Sequence, residues 1–264
     1  MTTPTCGMPP AANLEAIRRI LETDRPWAVY ALADLAPAYC ADARWHVATH
    51  GLPALLLVYR AFRPPVLFAH GPVADLAPLL AEIADQPEFY LSVRPEIAAL
   101  LRGAGYGISR EKRMWRMLLD ARRFAPPPHS AARLAPADLD ELARLYADGD
   151  AAGETPPFFD AGMLRHGVYF GIRENGALVA AAGTHVLAPT ESVAAIGNVY
   201  SRRDRRGHGF GLQVTAAVTA ELLRLSVRTV ALNVAESNRA AIRVYERLGF
   251  RRYCDYREGI ASAP

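Results

Sequence analysis

One stretch, Asn198-Val199-Tyr200-Ser201-Arg202-Arg203-Asp204-Arg205-Arg206-Gly207-His208-Gly209-Phe210-Gly211-Leu212, constrains this chain more than any other. It leaves a strand pattern over Val193–Ser201, passes three alternating glycines and enters a helical pattern from about Gly211 to Leu225. Such a joint exposes the N–H groups of the first helical turn and the positive end of the helix dipole, which together suit a phosphate. Glycine lets the backbone approach a diphosphate closely, and Arg202, Arg203, Arg205 and Arg206 offer charge-assisted bonds. Taken alone, the joint also fits a tight turn with a solvated arginine rim. Two nucleotide motifs fail here. No lysine follows these glycines as G-x-x-x-x-G-K-[ST] requires, and Leu212 stands where G-x-G-x-x-G has its third glycine.

Downstream, Thr229–Val234 alternates as a strand and Asn238–Leu248 reads as a helix, with Gly249 at the position of a helix C-terminal cap. Asn238, Ala241, Ile242 and Tyr245 share one helical face, which joins an amide to a phenol across small and apolar neighbours. That face suits a cleft lining; a plain N-cap at Asn238 and a core aromatic at Tyr245 fit the same pattern.

In this order and spacing the two blocks resemble the GNAT superfamily of N-acetyltransferases. Arg206 through Gly209 to Gly211 matches [Q/R]-x-x-G-x-[G/A], and Asn238 through Tyr245 to Gly249-Phe250 matches N-x-x-A-x-x-x-Y-x-x-x-G-F. The resemblance covers about residues 130–258. It implies an α+β fold, a mixed and mostly antiparallel sheet flanked by helices and splayed between the strands ending at Tyr200 and Val234. Acetyl-CoA, the acyl donor, would lie in the splay with its pyrophosphate on the N–H groups of residues 207–212. The implied cofactor-binding set is Val199, Tyr200, Ser201, Arg205, Arg206, Gly207, His208, Gly209, Phe210, Gly211, Leu212, Asn233, Asn238, Ala241 and Tyr245. The implied chemistry is direct acetyl transfer to an amine, with N–H from Val199–Ser201 polarising the thioester and Tyr245 protonating the departing thiolate.

A base for the amine is also required. Some relatives carry a carboxylate where this chain has Asn198, which leaves Glu154, Asp160 and His185 as candidates; Glu154 is taken with Tyr245 as the catalytic pair. Phe158 and Phe159, between the first two helices of this half, read either as a wall of the acceptor pocket or as anchors of their loop. The acceptor is expected to be a small amine or an amino acid. A protein or peptide N-acetyltransferase, and a CoA-binding sensor without turnover, are the competing functions.

The rest of the chain organises around this half. A length of 264 residues is enough for two compact domains, and 51% hydrophobic with 22% charged residues is the balance of a globular chain. Three prolines at 126–128 interrupt both periodicities, so a linker is expected over 124–130, between a first domain over 13–123 and a catalytic domain over 131–264. Residues 1–12 are expected to be a disordered lead-in. In the first domain, helices are expected at Asn13–Leu21, Val73–Ile83 and Pro95–Arg102, and strands at Trp45–Thr49, Ala54–Phe62, Val66–His70, Glu88–Val93 and Lys112–Asp120. This order repeats that of the second half and looks like a degenerate copy of the same fold. The copy has Gly71-Pro72-Val73 in place of the arginine–glycine loop, and Pro72 removes an amide donor, so one cofactor site is expected.

A surplus of 30 Lys+Arg over 27 Asp+Glu, +3 in all, gives no general case for nucleic acid or an anionic membrane. Cys6, Cys40 and Cys254 show no C-x-x-C spacing, His46 and His50 lack the glutamate of H-E-x-x-H, and no G-x-S-x-G elbow occurs, so no metal is expected. With no apolar leader and no membrane-spanning run, a cytoplasmic protein of unassigned oligomeric state is expected.

Overall fold

The computed structural model describes residues 11–156 and 158–264, so most of the expected lead-in, with Cys6, lies outside the described residues. The chain divides into two compact units. The first takes the described residues up to Arg116, together with Ala235–Ser237 and Tyr253–Pro264; the second takes Met117–Val234 and Asn238–Arg252. The division falls at Arg116/Met117 instead of at the proline run, because a strand can cross from one core to another without any break in its own sequence pattern.

The first unit opens with α1 (Ala11–Glu22), which buries Ile17 and Leu21, and α2 (Val29–Ala33). Sequence periodicity misses α2, whose five residues are too few to show a helical repeat. Strands β1 (Ala43–Val47), β2 (Leu55–Tyr59) and β3 (Val66–His70) form an antiparallel meander, and β4 (Glu88–Val93) pairs with β3 in parallel. The crossover between β3 and β4 is α3 (Val73–Leu76), which passes at Ala77 into a 3-10 turn to Ile83. Pro78, at the start of that turn, has no N–H for the bond an α-helix needs, which explains why the helix expected over Val73–Ile83 ends early. Helix α4 (Pro95–Gly103) and β5 (Gly107–Leu119) follow. β5 starts five residues before Lys112 because its exposed, charged first half reads as loop.

From β6 onward the elements are β6 (Ala132–Arg133), α5 (Leu139–Ala147), α6 (Ala161–His166), β7 (Tyr169–Glu174), β8 (Ala177–Ala188), β9 (Val193–Ser201), α7 (Phe210–Arg224), β10 (Thr229–Ala235), α8 (Arg239–Arg247) and β11 (Phe250–Ser262), all in the second unit except Ala235 of β10 and β11 from Tyr253 onward. In the second unit β6 to β10 are ordered β10-β9-β8-β7-β6, antiparallel except for the parallel pair β9–β10. An antiparallel meander closed by one parallel pair is thus built in each unit. The last segment of β11 lies antiparallel to β4, from Arg257↔Val93 to Ser262↔Glu88, and gives the first unit the strand beyond its parallel pair.

Two features of the second unit position the site. The parallel ladder runs from Thr229↔Val193 to Leu232↔Ile196, and the strand ends beyond it, Gly197–Ser201 and Asn233 onward, are the splay. The β8–β9 ladder slips twice: two steps on β8 oppose one on β9 between Val186↔Ala195 and Thr184↔Ile196, and two oppose three between Gly183↔Gly197 and Ala181↔Tyr200. The first bulge falls at His185 and the second at Asn198, whose φ of 52° is a left-handed conformation that asparagine tolerates better than most residues.

The core beneath is close-packed around Tyr169, whose side chain is fully buried among Leu134, Leu142, Leu164 and Leu178. A Cβ at Gly183 would lie 2.2 Å from the Tyr169 ring. Gly183→Ala is therefore expected to destabilise the second unit by about 1–3 kcal/mol, read as a lower denaturant midpoint; an unchanged midpoint would show that the ring has room to move.

Candidate active site

The glycine turn is open. Gly207 (φ 83°) and Gly209 (φ 79°) both lie in the left-handed region, and a Cβ at either would meet no atom within 4 Å. Gly209 is the N-cap of α7 and brings no side-chain cap. The first internal bond of that helix end is Gln213 N–H to Gly209 O at 3.2 Å. Among the described residues, the N–H groups of 207–212 find no hydrogen-bond acceptor. They are the orphan donors of a helix N-terminus, held in place by backbone conformation alone. The corresponding loop of the first unit differs: a Cβ at Gly71 would lie 2.6 Å from Ala54 Cα, so that turn is packed against its own core.

The arginines beside the turn are already paired. Arg202 bonds Asp204 at 2.6 Å, Arg203 lies 3.9 Å from Asp148, Arg205 bonds Glu174 at 2.9 Å and Arg206 bonds Glu154. Four guanidinium groups face four carboxylates, so the positive field at the turn comes chiefly from its amides and the helix dipole. Glu154 is exposed, and the hydrogen bond from Arg206 holds its carboxyl below the usual range. Asp160 caps α6 by accepting from Gly162 N at 2.5 Å and Met163 N at 3.3 Å.

Helix α8 places Tyr245 inward, 6% exposed, with Ile242 beside it and Phe250 edge-on at 6.3 Å. Burial pushes the Tyr245 phenol up to about 12, so the side chain keeps its proton at neutral pH. Its hydroxyl has no hydrogen-bond partner among the described residues. Asn238 caps α8 by accepting from Ala241 N at 3.0 Å. Asn233 follows directly on Leu232, the last residue of β10 in register with β9, at the mouth of the splay, and Val199, Tyr200 and Ser201 line its other strand.

Above the splayed end of β9 lies a polar network that the sequence did not announce. Tyr146, from α5, donates to Asn198 O at 2.8 Å; Asn198 Nδ2 donates to Tyr169 Oη at 2.8 Å; Tyr169 Oη donates to Thr184 O at 3.3 Å. His185 Nε2 meets Asn198 Oδ1 at 3.1 Å. The imidazole lies over Gly197, where a Cβ would come within 2.2 Å of the ring. Burial lowers the His185 pKa, with Asn198 opposing the shift weakly, so the ring is neutral at pH 7. Phe159 packs edge-on to Tyr146 at 5.0 Å and Tyr169 at 6.1 Å, which joins the α5–α6 loop to the same cluster. Below it Tyr200 donates to Asp148 at 2.8 Å, and Asp148 also accepts from Arg203 N at 2.9 Å, which lowers its pKa. Sequence reading did not find this network because its members are spread over four elements. Its one local signal is an asparagine inside the largely apolar strand pattern Val193–Ser201.

Residues 137–250 match the acetyltransferase (GNAT) family. A mycothiol acetyltransferase of Thermobispora bispora is 32% identical over 180 residues, 59% of this chain and 59% of that protein, so the match spans little more than half of the relative's length. Among solved structures, a GCN5-related N-acetyltransferase from Kribbella flavida superposes with a TM-score of 0.63 at 20% identity, over 91% of this chain and 95% of that one. A tandem GNAT protein from the clavulanic acid biosynthesis pathway gives 0.57 at 18% identity, over 95% of each. The family match covers residues 137–250, less than half of the chain, and the solved acetyltransferase structures share its fold.

Because Glu154 occupies Arg206, Glu154→Gln is expected to release that guanidinium toward an anion held on the open amides and to tighten pyrophosphate binding by about threefold in calorimetry. Weaker binding would place the carboxylate itself in the site.

Proposed function

We propose that the protein is an acetyl-CoA-dependent N-acetyltransferase that moves the acetyl group directly to a small amine. The row of unsatisfied N–H groups at 207–212, at the N-terminus of a 15-residue helix, carries this reading. Those donors suit the negative charge of a diphosphate, and among the described residues no acceptor competes for them. The splay beyond Leu232↔Ile196 gives the pantetheine arm a place between strand edges, where the edge of β9 at Val199–Ser201 that faces away from β8 can meet its amides and the thioester carbonyl.

Direct transfer then asks two things of the side chains. The departing thiolate needs a proton, and Tyr245 offers a hydroxyl that stays protonated and has no other bond to break. The amine needs to arrive neutral, since only its lone pair attacks the carbonyl. The name of the mycothiol acetyltransferase relative supports a small acceptor over a protein chain. No helix among the described residues is long and apolar enough to cross a membrane, and no group of three or more His, Cys, Asp or Glu among them could hold a metal. We place the enzyme in the cytoplasm.

A screen of amines with acetyl-CoA, read by thiol release, tests the reading; no release above background with any amine class would remove it. Gly209→Val, which forces a β-branched residue into the left-handed region, is expected to weaken CoA binding at least about tenfold while the unit stays folded. Tyr245→Phe is expected to lower kcat by about a hundredfold and to leave CoA affinity unchanged, because its bond matters only as charge develops on sulfur. Equal turnover would assign the proton to another donor.

A further inference from the structure

Resting on the reading that strands parted beyond a parallel ladder receive the pantetheine arm of acetyl-CoA, we infer that Trp27 is a built-in occupant of the equivalent place in the first unit, which is thereby closed to acyl-CoA. The first unit repeats the strand geometry. β3 and β4 run in register from Val66↔Tyr90 to Phe68↔Ser92, and the ladder stops there although β3 continues to His70 and β4 to Val93. Ala69 therefore follows the last in-register residue of β3 as Gly197 follows that of β9.

Register fixes which groups the parting leaves free. Tyr90 N donates to Pro65 O at 2.8 Å, so Pro65 and, by the strand's period of two, Leu67 and Ala69 turn their carbonyls toward β4. In an unbroken ladder Ala69 O would accept from Arg94 N, two residues beyond Ser92. It accepts instead from the indole of Trp27, Nε1 to O at 3.1 Å. An N–H donor carried on an apolar body thus meets the edge of β3, which is what an amide of the pantetheine arm would bring.

The ring is held against both strand ends. Phe68, at the end of the ladder, stacks on it at 5.2 Å, and the guanidinium of Arg94, the first residue after β4, lies over it at 4.7 Å. Trp27 is only 1% exposed. Its N–H donates to Asp24 Oδ1 at 3.2 Å and its carbonyl accepts from Arg116 Nη1 at 2.8 Å. Asp24 also accepts from Arg94 Nη2 at 2.7 Å, so the side chain that covers the ring is tied to the segment that carries it. A ring fixed in this way is a permanent filler and not a lid. The phosphate end is closed independently: the turn at Gly71 is packed on Ala54, and Pro72 has no N–H to give.

Amide NMR of the full chain tests the inference. In wild-type protein CoA is expected to shift the signals of residues 207–212 and to leave those of Phe68–His70 and Arg94 unmoved; saturable shifts at Phe68–His70 would overturn it. Trp27→Gly removes the occupant, and pantetheine, which lacks the diphosphate, is then expected to shift Phe68–His70 saturably in the millimolar range. Indole added beforehand is expected to block those shifts by refilling the vacated place. A folded Trp27→Gly protein whose Phe68–His70 signals ignore pantetheine, or respond equally with indole present, would overturn the occupant. If Trp27→Gly does not fold, Trp27→Leu, which keeps apolar packing but has no N–H for Ala69, takes the same titration with the same deciding outcomes. CoA that leaves residues 207–212 unmoved in wild-type protein would sink the acetyl-CoA reading of the second unit, and the pantetheine titration would still decide the role of Trp27.

Discussion

The site depends on main-chain amides that the fold leaves without acceptors. A helix N-terminus always has orphan N–H groups, and most are capped by a side chain or reach water at a rim. Here Gly209 supplies no side chain, and the left-handed conformations of Gly207 and Gly209 keep the turn wide. Positive charge is therefore delivered by fixed dipoles, while the neighbouring arginines are neutralised by carboxylates of the same unit. Dipoles of this kind need no rearrangement when an anion arrives, whereas a paired arginine must first give up its partner.

A second constraint shapes the acceptor side. Tyr146, Tyr169, Asn198 and Thr184 form a connected hydrogen-bond chain. Buried networks of this type are costly when half satisfied and directional when complete. Completion here orients an amide, and the amide orients an imidazole. The bulge at Asn198 also presents the outer end of β9, where Val199 and Ser201 follow, to the splay.

Much of this was legible in the chain. Strong local patterns gave β3, β4 and β9 to the residue, since each is a short β-branched or aromatic run closed by turn residues. The glycine turn and the Asn238–Tyr245 face were legible because their spacing within one element is fixed by helix geometry. What depended on distant partners was not. The carboxylates that pair with Arg205 and Arg206 are 31 and 52 residues away in sequence, so the arginines read as free cations. The unit that holds the end of β11 depends on pairing with β4, which no local pattern encodes. Glu154 drew notice as an acid in a loop and His185 as one of three candidates, yet only register slips bring the latter beside Asn198.

The two slips also cancel: Leu187↔Ala194 above them and Ala181↔Tyr200 below them share one alignment of β8 with β9. Removing one residue from either strand would leave the other bulge unmatched and turn the side chains on one flank to the opposite face of the sheet. Strand length in this stretch can therefore drift only in step. Descendants of this sequence should keep both extra residues or lose both together, and the histidine would be inherited with its asparagine as a single unit of length.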